Sequence, residues 1–422
     1  MVEVWLPYGD TEVCLTVPPE NLLDIVNPKQ EPQPINLEEE LKKALENPLN
    51  TSKLAETMKP EQKIAIAFNK SVNMDFISLV LAKLADEVKK ADVPLSNIRV
   101  IVGCREGKPI TPNEAENLLS KIPEGFEKKI HNPKVEEELV EVGVTSYKTR
   151  VFLNKSFFEA DLKILVGEVN LNPLTGFGGI DAVLSVCGLK TIHHSYGLSL
   201  NPKSRIGFLE ENPTHKNLVE IAGLAGVNHI LNLVVGLDGK VLRVFFGSLE
   251  KTFKEAVNSF KTIFGVEVED KAEIVVVSPG GNPFDQTFYD AQESLERACL
   301  VVKDGGIIVL VAECSQGLGN RDFQKLVNTV KSVEELKTIA KKEFNPTLYK
   351  IFRLMNILKD FRVVLVSTLP NTISEVLGFK TSKTVNNAVE YALRVLGKKS
   401  KILVLPYAMK IFPILKTKEP QH

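Results

Sequence analysis

The stretch NPLTGFGGIDAV, residues 172–183, has the residue types of a ligand-holding loop. Gly176, Gly178 and Gly179 follow the apolar run ADLKILVGEV (160–169) and read as the opening of a helix. Free amides there could hold an anion such as phosphate or carboxylate; three clustered glycines equally suit a plain tight turn. A second loop of the same kind, SPGGNPFDQTFYDAQE (278–293), follows AEIVVVS, and a third, ECSQGLGNRDF (313–323), follows another apolar run. Open α/β sheets bind ligands at the carboxyl ends of their strands, where all three loops would sit. Asp285, in the second loop, would face a ligand there or cap the following helix. Histidine is scarce, six in all, which singles out His193 and His194 in TIHHSYG. Adjacent residues diverge by about 100° on a helix, so the pair would rarely serve one metal together. One of them, titrating near neutrality, could act as acid, base or metal ligand. The sequence shows no GxSxG, no GxxxxGK[ST] and no dinucleotide fingerprint. Its five cysteines are scattered without a CxxC pair, which reads as reduced, mostly buried thiols.

The elements that must carry these loops are legible as apolar runs followed by helical periods. KIAIAF (63–68) precedes MDFISLVLAKLADEVKKA, and IRVIVG (98–103) precedes TPNEAENLLSKI, where Thr111 and Glu114 have capping-box spacing. Continuous Val/Ile/Leu runs alternating with helices predict a mainly parallel, doubly wound sheet. HILNLVVGLDGKVLRVFFG (229–247) breaks the pattern, with Asp238-Gly239 predicting a hairpin turn. A second α/β series starts at AEIVVVS (272–278) and continues through GGIIVLVAEC (305–314), a helical stretch over 320–360, RVVLVST (362–368) and KILVLPY (401–407). The acidic, proline-bearing segment 27–49 predicts an exposed loop and one solvated helix, and RVLGKKSK predicts a helix C-terminus.

The chain has 422 residues, 44% apolar and 25% charged, enough for two or three globular domains with real cores. A formal net charge of −1 advertises neither nucleic acid nor a membrane surface as partner, which leaves a small-molecule ligand. No basic start leads into an apolar run, and no apolar stretch approaches about 18 residues, so the expected location is cytoplasmic.

Over almost its whole length the sequence resembles the lactate racemases that use a nickel-pincer nucleotide. LPYGDTEVCLTVPPENLLDIVNP resembles the family's opening, GEVNLNPLTGFGG with GLKTIHHS its cofactor loop, and KILVLPYAMKIFP its closing strand. SPGGNPFDQTFYDAQESLERACLVVKDGGIIVLVAECSQGLG is the most specific block. The resemblance implies two α/β domains with a ligand cleft between them: residues 1–268, joined by 405–422, and residues 269–404. It implies a lysine-linked cofactor whose nickel is held by sulfur, carbon and one histidine. Two further histidines exchange protons while a hydride leaves and returns to the α-carbon of a 2-hydroxy acid.

The resemblance departs from the family where that chemistry is done. Asn172 stands at a histidine of the cofactor loop, and Asp181, or Ala182 without a gap, at the linking lysine. The nickel histidine falls near Ser195 or Tyr196, slightly past His193 and His194, of which His194 is the proposed ligand. Gly103-Cys104-Arg105 replaces Gly-x-His-Arg, Asn69-Lys70-Ser71-Val72 replaces Asp-x-Thr-Arg, and Glu293 replaces a lysine. The readings left open are a racemase or epimerase with a rearranged cofactor site, another enzyme on the same fold, and a noncatalytic homologue binding a small ligand or a partner. The expected cleft comprises Asn69, Cys104, Arg105, Asn172, Gly176, Gly178, Gly179, Asp181, Asn282, Asp285 and Glu293, with His193 and His194. The charge reversal leads to the expectation that Asp181, Asp285 and Glu293 receive a cation or an amine.

Overall fold

Runs of Val, Ile and Leu become strands covered on both faces, because only burial on both sides removes so much apolar surface from water. The computed structural model describes residues 1–30, 35–342 and 344–416. The chain forms two compact units, each built on a six-stranded sheet. The central unit comprises Pro32–Phe260 and Lys341–Asn345; the terminal unit comprises Met1–Glu31, Lys261–Ala340 and Pro346–His422.

In the central unit the strand order is Val241–Gly247, His229–Val235, Leu162–Val169, Ile64–Asn69, Ile98–Gly103, Glu127–Ile130. Every pair is parallel except the first, the hairpin announced by Asp238-Gly239, where Gly239 has φ +76°. All six residues of Ile64–Asn69 are buried. From this strand the chain first builds outward through Ile98–Gly103 and Glu127–Ile130, then returns to its other side with Leu162–Val169. The order therefore reverses between Ile64–Asn69 and Leu162–Val169, the kind of place where open α/β sheets bind ligands. The helix Pro112–Ser120 carries the expected capping box of Thr111 and Glu114.

In the terminal unit the order is Lys380–Thr381, Arg362–Val366, Val302–Val311, Ala272–Val277, Ile402–Leu405, Leu22–Ile25, all parallel. Here the reversal lies between Ala272–Val277 and Ile402–Leu405. The stretch 320–360 forms three helices, Arg321–Thr329, Val333–Lys342 and Pro346–Asp360.

The domain boundaries differ from those expected. The first thirty residues fold with the C-terminal half, because Leu22–Ile25 pairs with Ile402–Leu405 and the hairpin Val2–Tyr8/Thr11–Val17 buries Val4, Leu6, Leu15 and Val17 in one core with Ile274 and Val276. Phe412–Leu415 pairs with Gly265–Val268 in this same unit, so the closing segment does not join the central one. Of the segment 27–49, Leu37–Glu46 is helical with Asn36 as its cap, and residues 31–34 lie outside the described residues, as do 417–422 of the closing segment. Among the described residues no helix is long and apolar enough to cross a membrane.

Candidate active site

The reversal of strand order in the central unit gathers one polar cluster. Asn69, the last residue of Ile64–Asn69, accepts the backbone N–H of Arg105 on Oδ1 at 2.9 Å and donates from Nδ2 to Ser71 Oγ at 2.5 Å. This ties the turn after Ile98–Gly103 to the neighbouring strand end. Arg105 then donates from Nη1 to Asp181 Oδ2 at 2.8 Å and from Nε to Glu106 Oε1 at 3.1 Å. Asp181 also accepts Asn172 Nδ2 on Oδ2 at 3.1 Å and the Gly179 N–H on Oδ1 at 2.8 Å. It is 1% exposed, so its charge is matched inside the protein rather than by water.

The glycine loop is not the open helix start expected of it. Gly176 lies in a short antiparallel pair, Leu171–Asn172 with Gly176–Phe177, at φ +84°. The Gly178 N–H bonds the Asn170 carbonyl at 2.9 Å, and the Gly179 N–H is taken by Asp181. These two amides are spent on the chain itself, and the carboxylate at the loop is its own. Beyond the loop runs a seven-residue 3₁₀ segment, Ile180–Val186, with every residue buried. It lies across the strand ends so closely that a side chain on Gly103 would collide with the Ser185 carbonyl, and one on Gly167 with that of Gly179.

Two further side chains of the cluster, Glu106 and Glu168, were missed by sequence reasoning, and a third, Tyr196, was marked only as a position near the family's nickel histidine. Burial raises the Glu168 carboxyl above its ordinary pKa, partly opposed by Arg105. Burial also pushes the Tyr196 hydroxyl well up, an effect that Arg105 reduces and Asp181 and Glu106 increase. For Glu106, burial is outweighed by Arg105 and by hydrogen bonds, and the net shift is downward. The Cys104 thiol, 3.2 Å from Glu106 Oε2, is raised by burial and by that carboxylate. Asp181 in turn raises the Arg105 guanidinium. A glutamate interrupting the apolar run ILVGEV was the available signal for Glu168; nothing local marks Tyr196, which depends on the turn of its helix.

That helix, Leu189–Gly197, also carries the two expected catalytic histidines, His193 half-buried and His194 exposed. Its buried face holds Ser195, bonded to the Thr191 carbonyl and Asn217, and Tyr196. Among the described residues no group of three or more His, Cys, Asp or Glu side chains is placed to hold a metal ion.

The remaining expected residues belong to the terminal unit. Asn282 donates to Asp10 Oδ1 at 2.7 Å and accepts Gln286 Nε2 at 2.7 Å. Asp285, 0% exposed, accepts the N–H groups of Gly9 at 2.8 Å and Glu313 at 3.1 Å on Oδ2. Glu293 forms an ion pair with Lys350 at 2.8 Å, and that ammonium lies 3.8 Å from the centre of the Tyr289 ring. Of the three residues expected to receive a cation, Asp181 and Glu293 already have cationic partners. Asp181 is held by Arg105, Glu293 by Lys350, and Asp285 by backbone donors.

Two α/β units, each built on a six-stranded, mainly parallel sheet whose strand order reverses once, define a two-domain α/β protein. Residues 8–207 match the lactate racemase N-terminal domain and residues 267–412 the lactate racemase C-terminal domain. The chain belongs to the lactate racemase family. It is similar to a lactate racemase of Thermoanaerobacterium thermosaccharolyticum, 26% identical over 97% of this chain and 99% of that protein. Against a lactate racemase of Lactiplantibacillus plantarum it is 28% identical, over 96% of this chain and 98% of the other. The fold is like that of the solved lactate racemase apoprotein from T. thermosaccharolyticum, with TM-score 0.79 at 24% identity over 99% of this chain and 100% of that one. A solved Thermotoga maritima protein superposes with TM-score 0.55 at 16% identity, over 92% and 100% of the two chains.

Proposed function

We propose that this chain is a member of the lactate racemase family that binds a small polar molecule without performing nickel-pincer racemisation of a 2-hydroxy acid. The observation that carries this reading is Asp181, buried and triply hydrogen-bonded at the position where the resemblance puts the cofactor-linking lysine. Ala182, the alternative position, is equally buried. Neither carries an amine, so neither can form the link, and an anionic nucleotide would meet a carboxylate already using the neighbouring guanidinium. The residues present do not fit the cofactor. The same ion pair bears on the substrate. Arg105 serves both Asp181 and Glu106, so a hydroxy acid's carboxylate would find this cation already neutralised, whereas a neutral hydroxyl- or amide-bearing ligand meets no such penalty. Cys104 and Asn172, where the resemblance has histidines, supply no acid–base pair working near neutrality.

The test is to produce the protein with nickel and a family cofactor-synthesis system, beside a lactate racemase as loaded control, and to measure nickel content and intact mass. The expected result is a metal-free, unmodified chain. Stoichiometric nickel, with a mass increment or a cofactor released on denaturation, would overturn the proposal and return His193 or His194 to the role of ligand.

A further inference from the structure

The terminal unit has a crevice of its own. Gly280 lies on the loop leaving Ala272–Val277 and Tyr407 on the loop leaving Ile402–Leu405, the two strands between which the sheet order reverses. Between them and the Gly9-Asp10 turn of the N-terminal hairpin is a groove of about 730 Å³, walled by Trp5 and Tyr407 and edged by Asp10 and Glu12. Trp5 is 54% exposed, an unusual position for a large aromatic ring that nothing else requires to face water.

The charged residues that line this groove are Asp10 and Glu12. Asp10 accepts the Asn282 amide at 2.7 Å, but neither it nor Glu12, Asp285 or Glu313 forms an ion pair among the described residues. The Glu313 carboxylate packs directly on Gly9, where any side chain would strike it. Asp285 spends Oδ2 on the Gly9 N–H at the groove floor, while its Oδ1 has no partner although the residue is wholly buried. A cation that does approach is Lys410, 5.6 Å from the Tyr407 ring centre. The Tyr8 hydroxyl records the same field: burial, Glu313, Cys314 and Asp285 push it up to about 12. Aromatic faces beside unpaired carboxylates attract a cation, and its apolar substituents gain by lying on the rings. Trp5 and Tyr407 in the lining suit a cation that carries apolar substituents.

We propose that this groove binds an organic ammonium ion, its alkyl groups against Trp5 and Tyr407 and its charge toward Asp10 and Glu12. Trp5 is the chain's only tryptophan, so its emission reports occupancy without a label. Choline is the probe and neohexyl alcohol, its uncharged carbon isostere, the comparison, both titrated at constant ionic strength. The expected result is a saturable change in Trp5 emission with choline, and binding weaker by about fivefold or more for the alcohol. The double variant Asp10→Asn/Glu12→Gln, with thermal unfolding unchanged, should weaken choline binding by a similar factor. No saturable change with choline, equal binding of the alcohol, or a folded double variant that binds choline as before would each overturn the proposal. The comparison of the two probes on the unaltered protein decides the matter even if the variant does not fold.

Discussion

Asp181 shows how much one residue's meaning depends on its neighbour. Its identity is plain from the chain, and so is its inability to link a cofactor; its partner, 76 residues earlier, is not. Removing one member of a buried pair leaves the other uncompensated at a cost of about 3–5 kcal/mol, less where water still reaches one of them. The Arg105 side chain is 22% exposed, so Asp181→Asn should lower the unfolding free energy by about 2–3 kcal/mol, read from urea denaturation. A variant as stable as the parent would show that the pair contributes nothing. The expected histidine pair lies on a helix, with His193 half-buried and His194 exposed. Which of its helix neighbours would face Arg105 was not readable, because helix rotation about its axis is set by packing.

At the scale of elements, the buried segment Ile180–Val186 packs against the strand end at Gly103. It crosses the sheet's carboxyl edge against Gly103 and Gly167, and both must lack a side chain. Gly103→Ala should therefore cost about 1–3 kcal/mol through overpacking, with faster amide hydrogen exchange in residues 180–187. Unchanged exchange in that segment would mean that it does not depend on this close approach. Sequence periodicity found the strands, the capping box of Thr111 and the Asp238-Gly239 hairpin, since each is encoded within a few residues. It could not tell that the helix after Gly179 is a buried 3₁₀ run whose leading amides are already used, because seven buried residues in such a run have no local signature. Here the surrounding strand ends impose the conformation.

The central unit as a whole should lose stability as it is acidified through the histidine range. His131, His215 and His229 all have lowered pKa values, in each case mainly from burial, His215 to about 4. A histidine held neutral in the fold gains its proton only on unfolding, so this stability is present above pH about 6.5 and is lost as pH falls toward the folded value. His215 alone accounts for at most about 3 kcal/mol, and His215→Gln should flatten the dependence of unfolding free energy on pH between about 6.5 and 4. An equally steep profile in the variant would assign the loss to other groups. The chain's own pattern determined the family, the two α/β units and which strands are interior, because apolar periodicity and turn chemistry are local and survive without knowledge of the partners. Tertiary structure alone decided that the first thirty residues complete the C-terminal sheet, that Asp181 belongs to Arg105, and that Trp5 lines one groove with Asp10, Glu12 and Tyr407. Strand pairing and charge compensation join residues tens to hundreds of positions apart, and no local pattern records the distance between them.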